Sequence, residues 1–296
     1  MNYYNEIKTE LINNEITKRV KDYSKNRSDL NTYYNVGKLL SEAGKHYGEG
    51  IIKEYSDRLI SELNIKYSVR TLYKIIKYFN YMNKQKVPTV SAKLSWSHYD
   101  ELLKLTDENI INYYIKISEE QNLSVRELRK KIKSNEYERL DEETKNKLKN
   151  KEELKVPDLV KNPIQIRNTS DYNEISEKTL QKLILEDIPS FLKELGSGFS
   201  FIDNEYKIKM GDRYNYIDLL LYNIKYKCYV VVELKITELN SNHIGQIQKY
   251  MNYIDKNIKS IDDNKTVGII ICKKENKYVI EYCSDDRIIA REYELV

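Results

Sequence analysis

The sequence predicts an α+β chain in two parts: an all-α amino-terminal domain and an α/β carboxy-terminal domain built on a mixed sheet. Three observations predict it. Apolar residues recur at helical intervals from Ile7 to Ile132, whereas from Ser176 onward helix-like and strand-like segments alternate. Between them, Ser134–Lys155 alternates Lys with Glu, as a solvated helix could, and Pro157 and Pro163 follow among polar residues, as in a linker. Charge divides at the same place. Residues 1–155 carry 30 Lys/Arg and 24 Asp/Glu (30 − 24 = +6), and residues 156–296 carry 20 and 22 (20 − 22 = −2). The expected domains are 1–135 helical, 136–170 linker and 171–296 α/β.

In the first part, Ile7, Leu11, Ile12, Ile16 and Val20 fall on one face of a helix over Glu6–Tyr23. Leu30–Ala43 continues the pattern until Gly44, Gly48 and Gly50 interrupt it. A helix over Ile51–Leu63 leads through a polar turn to Ser68, an N-cap for a helix from Val69 to about Met82. That order, helix, turn, basic helix, suits a helix-turn-helix. Further helices are expected near His98–Leu105, over Glu108–Glu120, and from the Ser124 cap to Ile132.

In the second part a helix runs from the Ser176 cap to Leu195, with Pro189 as a kink and Gly196 past its end. Strands are expected over Phe199–Met210, Tyr214–Tyr222, Cys228–Lys235, Thr266–Cys272 and Tyr278–Tyr282, with a helix over Asn242–Ile258.

The 40% hydrophobic content suffices for two cores, and no apolar run approaches the ~20 residues that span a bilayer. Cys228, Cys272 and Cys283 form no C-x-x-C pair, which argues against a disulfide framework or a structural zinc site; the first two sit in apolar runs as core side chains. The amino terminus is polar and acidic, unlike a signal peptide. The expectation is a soluble, cytoplasmic protein without a membrane partner. Phosphate-loop and serine-hydrolase signatures are missing from the sequence, so motor and serine-hydrolase chemistry find no support.

The segment Val230-Val-Val-Glu233-Leu-Lys235 is the most informative. Three valines imply a strand buried on both faces, and such a strand ends in Glu and Lys only at a cleft or in a pair. Period-two alternation puts Glu233 and Lys235 on one face, with Leu234 on the other. Asp218 is a lone carboxylate within the preceding apolar strand, and a turn at Asn223–Lys227 brings it alongside. Two carboxylates and the Leu234 carbonyl offer hard oxygen ligands suited to Mg²⁺ or Mn²⁺, and Lys235 can stabilise developing phosphorane charge. The alternative is a buried ion pair that satisfies only itself.

Asp218 followed by Glu233-x-Lys235 resembles the PD-(D/E)XK nuclease signature, and Gln246-Ile-Gln-Lys-Tyr250 resembles its Q-x-x-x-Y element. The passage Phe191-Leu-Lys-Glu-Leu-Gly-Ser-Gly-Phe-Ser-Phe201 is similar to the YhcG-type branch. Tyr47-Gly-Glu-Gly50, Leu94-Ser-Trp-Ser-His-Tyr99 with Glu101-Leu-Leu103, and Ser124-Val-Arg-Glu-Leu128 resemble that family's amino-terminal domain. The resemblance implies a PD-(D/E)XK fold, a divalent metal and a nucleic-acid substrate. It departs at Gln181, where many members carry a metal-shell Glu; Glu177, Glu186 or a water is the expected substitute. The expected catalytic set is Asp218, Glu233, Lys235, Gln246, Tyr250 and Glu177, with Asp218, Glu233 and the Leu234 carbonyl as metal ligands. His243 precedes the Gln246 helix and is a further candidate near the cleft.

From Leu63 to Tyr99 there is no Asp or Glu, but Arg70, Lys74, Lys77, Lys84 and Lys86 are present among interleaved tyrosines. They are the expected nucleic-acid contacts, against the alternative of a solvated basic face. The reading is therefore a DNA endonuclease acting on duplex or branched DNA, in which a homodimer is allowed. Its rivals are a DNA-binding scaffold with a decayed site, favoured by Gln181, and a nuclease acting on RNA.

Overall fold

The computed structural model describes residues 3–19, 25–63, 67–85, 93–169, 175–283 and 285–296. It divides into two compact units, Met1–Ser134 and Asn135–Val296.

The first unit is helical: α1 (Tyr3–Arg19), α2 (Lys25–Tyr47), α3 (Gly50–Leu63), α4 (Val69–Gln85), α5 (Trp96–Leu102), α6 (Glu108–Glu120) and α7 (Val125–Lys133). Helix α4 buries Leu72, Ile75, Tyr78 and Met82. It crosses α2 at Gly37, where a Cβ would lie 2.6 Å from that of Phe79, so only a hydrogen fits. Helix α7 opens on a capping box in which Ser124 and Glu127 exchange hydrogen bonds.

The second unit carries α8 (Glu142–Asn150), α9 (Val156–Leu159), β1 (Ile164–Ile166), α10 (Glu177–Glu186), α11 (Ile188–Leu195), β2 (Phe199–Met210), β3 (Arg213–Asn223), β4 (Cys228–Leu234), α12 (Ser241–Asn257), β5 (Val267–Cys272), α13 (Lys277–Cys283) and β6 (Ile288–Leu295). Among the described residues the strands form one sheet in the order β1-β6-β5-β4-β3-β2. Strands β2, β3 and β4 pair antiparallel, whereas β4, β5, β6 and β1 pair parallel. The parallel β4–β5 pair requires a crossover, which α12 supplies.

Both sheet faces are covered. Leu180, Leu183 and Ile184 of α10, with Phe191 and Leu195 of α11, pack on Leu219, Leu221, Val230, Val232 and Leu234. On the other face Ile244, Ile247, Met251 and Ile254 of α12 pack on Leu220, Val231 and Ile270. A Cβ at Gly268 would meet Met251 Sδ at 2.7 Å, so glycine lets α12 lie close on β5. Cys228 and Cys272 are buried core thiols. No helix among the described residues is long and apolar enough to cross a membrane.

Three expectations are corrected. The segment 136–170, expected as a linker, carries α8, α9 and β1, and β1 is hydrogen-bonded to β6. Its charges are spent on packing: Lys161, 1% exposed, lies 3.5 Å from Glu136 and 3.7 Å from Glu194, and Arg139 pairs with Glu194. Tyr278–Tyr282 is helical, within α13, and the last strand is β6. The helix expected over Ser176–Leu195 is two helices, broken at Asp187 where Pro189 opens α11.

Candidate active site

The backbone ladder between β3 and β4 runs from Asn223↔Cys228 to Leu219↔Val232. One residue further, the Asp218 carboxylate replaces a strand carbonyl: its Oδ2 accepts the Leu234 N–H at 2.8 Å. The β3–β4 pairing ends there. The Leu234 side chain is fully buried in the α10 side of the core, so its neighbours Glu233 and Lys235 are turned the other way.

Glu233 is 1% exposed. Its Oε2 accepts from Gln246 Nε2 at 2.9 Å and from Lys235 Nζ at 3.4 Å. Its Oε1 is buried with no partner among the described residues. Burial, and then the Asp218 charge, push the Glu233 carboxyl up to about 8 against the opposing pull of Lys235. Burial also raises Asp218, opposed by the Leu234 N–H and Lys235 and reinforced by Glu177 and Glu205. Lys235 bridges the carboxylates, 3.4 Å from Glu233 and 3.8 Å from Glu177.

Helix α12 contributes the third wall. Gln246 and Tyr250, one turn apart, meet at 3.2 Å through Nε2 and Oη. Burial raises the Tyr250 hydroxyl above its ordinary range. His243 belongs to the helix start, where its ring and backbone bond to Asn240. Burial and Lys235 lower its pKa.

Asp218, Glu233, Lys235, Gln246, Tyr250 and Glu177 therefore converge. Glu186 does not: it bonds to Thr169 and faces Lys182 at 3.9 Å. Gln181 has a role that sequence reasoning missed. Its Nε2 donates to the Asp218 carbonyl at 3.0 Å, fixing the β3 backbone at the ligand position. Burial of Gln181 on an otherwise apolar helix face is the only sequence-level signal of it.

The residues present fit a divalent cation. Two neighbouring carboxylates both resist ionisation, and one has a buried oxygen without a partner, so a cation between them would offset both penalties. Among the described residues no group of three or more His, Cys, Asp or Glu is placed to hold a metal. The donors that Asp218 and Glu233 offer are hard carboxylate oxygens, the kind Mg²⁺ takes.

The basic stretch of α4 is differently placed. Lys74 pairs with Asp100 at 2.5 Å, Lys84 with Glu108 at 2.5 Å, and Lys77 donates to the Leu103 carbonyl. Arg70 is exposed, and Lys86 lies outside the described residues. In the same unit Arg126, Lys130 and Lys133, at positions i, i+4 and i+7 of α7, are all exposed.

Residues 158–296 match the family model of the YhcG PDDEXK nuclease domain, and residues 9–139 that of the DUF1016 N-terminal domain. YhcG of Escherichia coli (strain K12) is 24% identical over 219 residues, 70% of this chain and 58% of YhcG. Among solved structures, a repair endonuclease from Pyrococcus abyssi aligns at 20% identity over 43% of this chain and 49% of that one, with a TM-score of 0.29. The EndoMS–double-stranded DNA complex aligns at 19% identity, 43% and 48% coverage and a TM-score of 0.29. The chain thus spans just over half the length of YhcG and about half of either solved chain. The chain therefore carries a DUF1016 N-terminal domain followed by a YhcG-type PDDEXK nuclease domain.

Proposed function

We propose that this chain is a divalent-metal-dependent DNA endonuclease, using Mg²⁺ or Mn²⁺, whose helical domain binds duplex or branched DNA. The observation that carries the reading is the Glu233 carboxylate: fully buried, beside Asp218 and Lys235, with one oxygen held by Gln246 and the other unpartnered. An unpartnered oxygen buried beside a second carboxylate is a group that a bound cation would satisfy.

Asp218 and Glu233 would hold the metal, together with the Leu234 carbonyl. When bound, the metal supplies positive charge that polarises the scissile phosphate. The protein's own residues do the positioning. Leu234 N–H orients Asp218, Gln246 fixes one Glu233 oxygen and leaves the other unpartnered, and Tyr250 steadies Gln246. Lys235 carries its ammonium where charge develops on the phosphate, and Glu177 holds that ammonium from the solvent side. In the helical domain, Arg70 and the α7 cations Arg126, Lys130 and Lys133 supply phosphate contacts.

Gln181 supports a second reading, a DNA-binding scaffold, because it spends its amide on the Asp218 backbone and offers no carboxylate. Incubation of the purified chain with plasmid, linear, branched and single-stranded DNA in Mg²⁺, Mn²⁺ or EDTA separates the two. Metal-dependent products lost in Glu233→Gln establish the enzyme; binding without products in any metal establishes the scaffold.

A further inference from the structure

The β2–β3 hairpin continues past the point where β3 leaves β4. Pairing of β3 with β4 covers Leu219–Asn223, whereas pairing with β2 extends to Met210↔Arg213. From Asp218 outward the sheet is therefore a two-stranded ribbon. One face of that ribbon is committed to the core: Ile208 and Ile217 are buried with the α12 side chains, and Tyr206 and Met210 pack beside them.

The other face is bare, and its composition is specific. Lys207 pairs with Tyr216 and Lys209 with Tyr214, so alternation sets all four on one surface. Tyr214 is 54% and Tyr216 52% exposed. Lys207 Nζ stands 3.9 Å from the centre of the Tyr214 ring and Lys209 Nζ 5.9 Å. Tyrosine is a good strand former, which accounts for a tyrosine here but not for two exposed rings interleaved with two lysines. The exposed acids Glu205 and Asp212 bracket this patch and do not enter it.

The patch also has an address. Tyr216 and Tyr214 lie two and four residues before Asp218 on one strand, so their backbone positions are about 7 and 14 Å along the strand from the candidate ligand, on the ribbon face turned away from α12. We infer that this lysine–tyrosine ribbon is a platform for an unpaired stretch of DNA adjoining the scissile phosphate. Exposed rings stack bases irrespective of sequence, and the interleaved ammonium groups meet the backbone phosphates. A blunt duplex presents no free base faces to the rings, so the platform favours branched or flapped DNA over a continuous duplex. The inference rests on the nuclease reading for the position of the cut, but not for binding.

The test uses the full chain in EDTA and fluorescence anisotropy. The probes are a labelled thymidine strand of about 16 nucleotides and a blunt duplex of the same length. Tyr214→Ala with Tyr216→Ala should weaken single-strand binding by about tenfold or more, since one stacked base contributes roughly that factor. Duplex affinity should move less than about threefold, by the same measure. Tyr214→Phe with Tyr216→Phe, which keeps the rings, should bind as the native chain does. Lys207→Gln with Lys209→Gln should flatten the salt dependence of single-strand binding. Equal losses on both probes, no loss on either, a Phe variant as weak as the Ala variant, or no single-strand binding by the native chain would each overturn the inference. Plasmid cleavage in Mg²⁺ by the Ala variant is read separately. Cleavage with unchanged strand binding sinks the platform alone, and strand binding without cleavage by the native chain sinks the nuclease reading alone.

Discussion

Gln246 donates to one oxygen of Glu233 at 2.9 Å while the other oxygen of the same carboxylate is buried and unpartnered. The amide thus converts a symmetrical group into a directed one. Burial, and then the neighbouring Asp218 charge, make that carboxylate hard to ionise in the metal-free protein and push the Glu233 pKa up to about 8.

That shift has a definite sign. Between the ordinary carboxylate range and about 8 the folded state holds a proton that the unfolded state releases, so metal-free stability falls as pH rises through this window. Glu233→Gln cannot ionise. Its thermal midpoint should match the native one near pH 5 and exceed it above pH 8, by on the order of 1–4 kcal/mol of stability. Added Mg²⁺ should raise the native midpoint and close the gap. A gap of equal size at both pH values would show that the carboxylate is not the cause.

Gln246→Leu removes the donor on Glu233 while keeping the apolar stem. A supporting residue of this kind typically contributes 10–100-fold to metal affinity. The metal concentration for half-maximal cleavage should rise by about that factor, with rate recovered in part at high Mg²⁺. A lower rate at unchanged metal dependence would place Gln246 on the substrate instead.

Much of this site could be read from the sequence because strand alternation fixes which side chains share a face. Asp218, Glu233 and Lys235 needed only period two and one hairpin turn to be brought together. The parts that were misread depend on partners far away in the chain. Lys161 and Arg139 lie in the segment expected as a linker, and it is Glu136 and Glu194 beside them that bind it into the domain. Strand β6 carries Arg291, which is buried where Asp141, Glu275 and the Val160 carbonyl receive it. The short run Tyr278–Tyr282 has strand-forming residues, yet a segment of that length carries too little periodicity to decide between helix and strand. On α4, lysine spacing was right, but Asp100, Glu108 and the Leu103 carbonyl already occupy Lys74, Lys84 and Lys77.

Those occupied lysines lead to a contrast within the helical domain. Arg126, Lys130 and Lys133 changed together to Ala in the full chain should reduce the salt slope of duplex binding by roughly one phosphate contact each. Lys74→Ala with Lys77→Ala should change it less. The measurement is the duplex dissociation constant across salt concentrations. A larger effect from the α4 pair would return the interface to α4.

Gln181→Glu restores the residue type many family members carry, yet here it should not help. A carboxylate cannot donate to the Asp218 carbonyl, so the 3.0 Å hydrogen bond is lost and a third negative charge enters beside Asp218 and Glu233. Cleavage rate should stay level or fall, and the metal-free thermal midpoint should drop. A rate increase of about tenfold or more, equivalent to ~1.4 kcal/mol of barrier, would mean that the site lacks a ligand that Glu177 does not replace.

Lys235 separates an enzyme from a scaffold most directly. Its ammonium lies between Glu233 and Glu177 in the resting protein, so it is already positioned, and its charge gains importance only as the phosphate becomes more negative. An interaction made chiefly in the transition state lowers turnover when removed, with little change in binding. Lys235→Ala should therefore cut the single-turnover rate by on the order of 10²–10³ while the DNA dissociation constant in Ca²⁺ stays within about twofold. Glu177→Gln should act more weakly, because it touches the phosphate only through Lys235. Equal loss of rate and binding would make Lys235 a substrate anchor. Native chain and Lys235→Ala equally inert in Mg²⁺ and Mn²⁺ on every DNA would mean a decayed site, and equal activity in both would place the chemistry elsewhere.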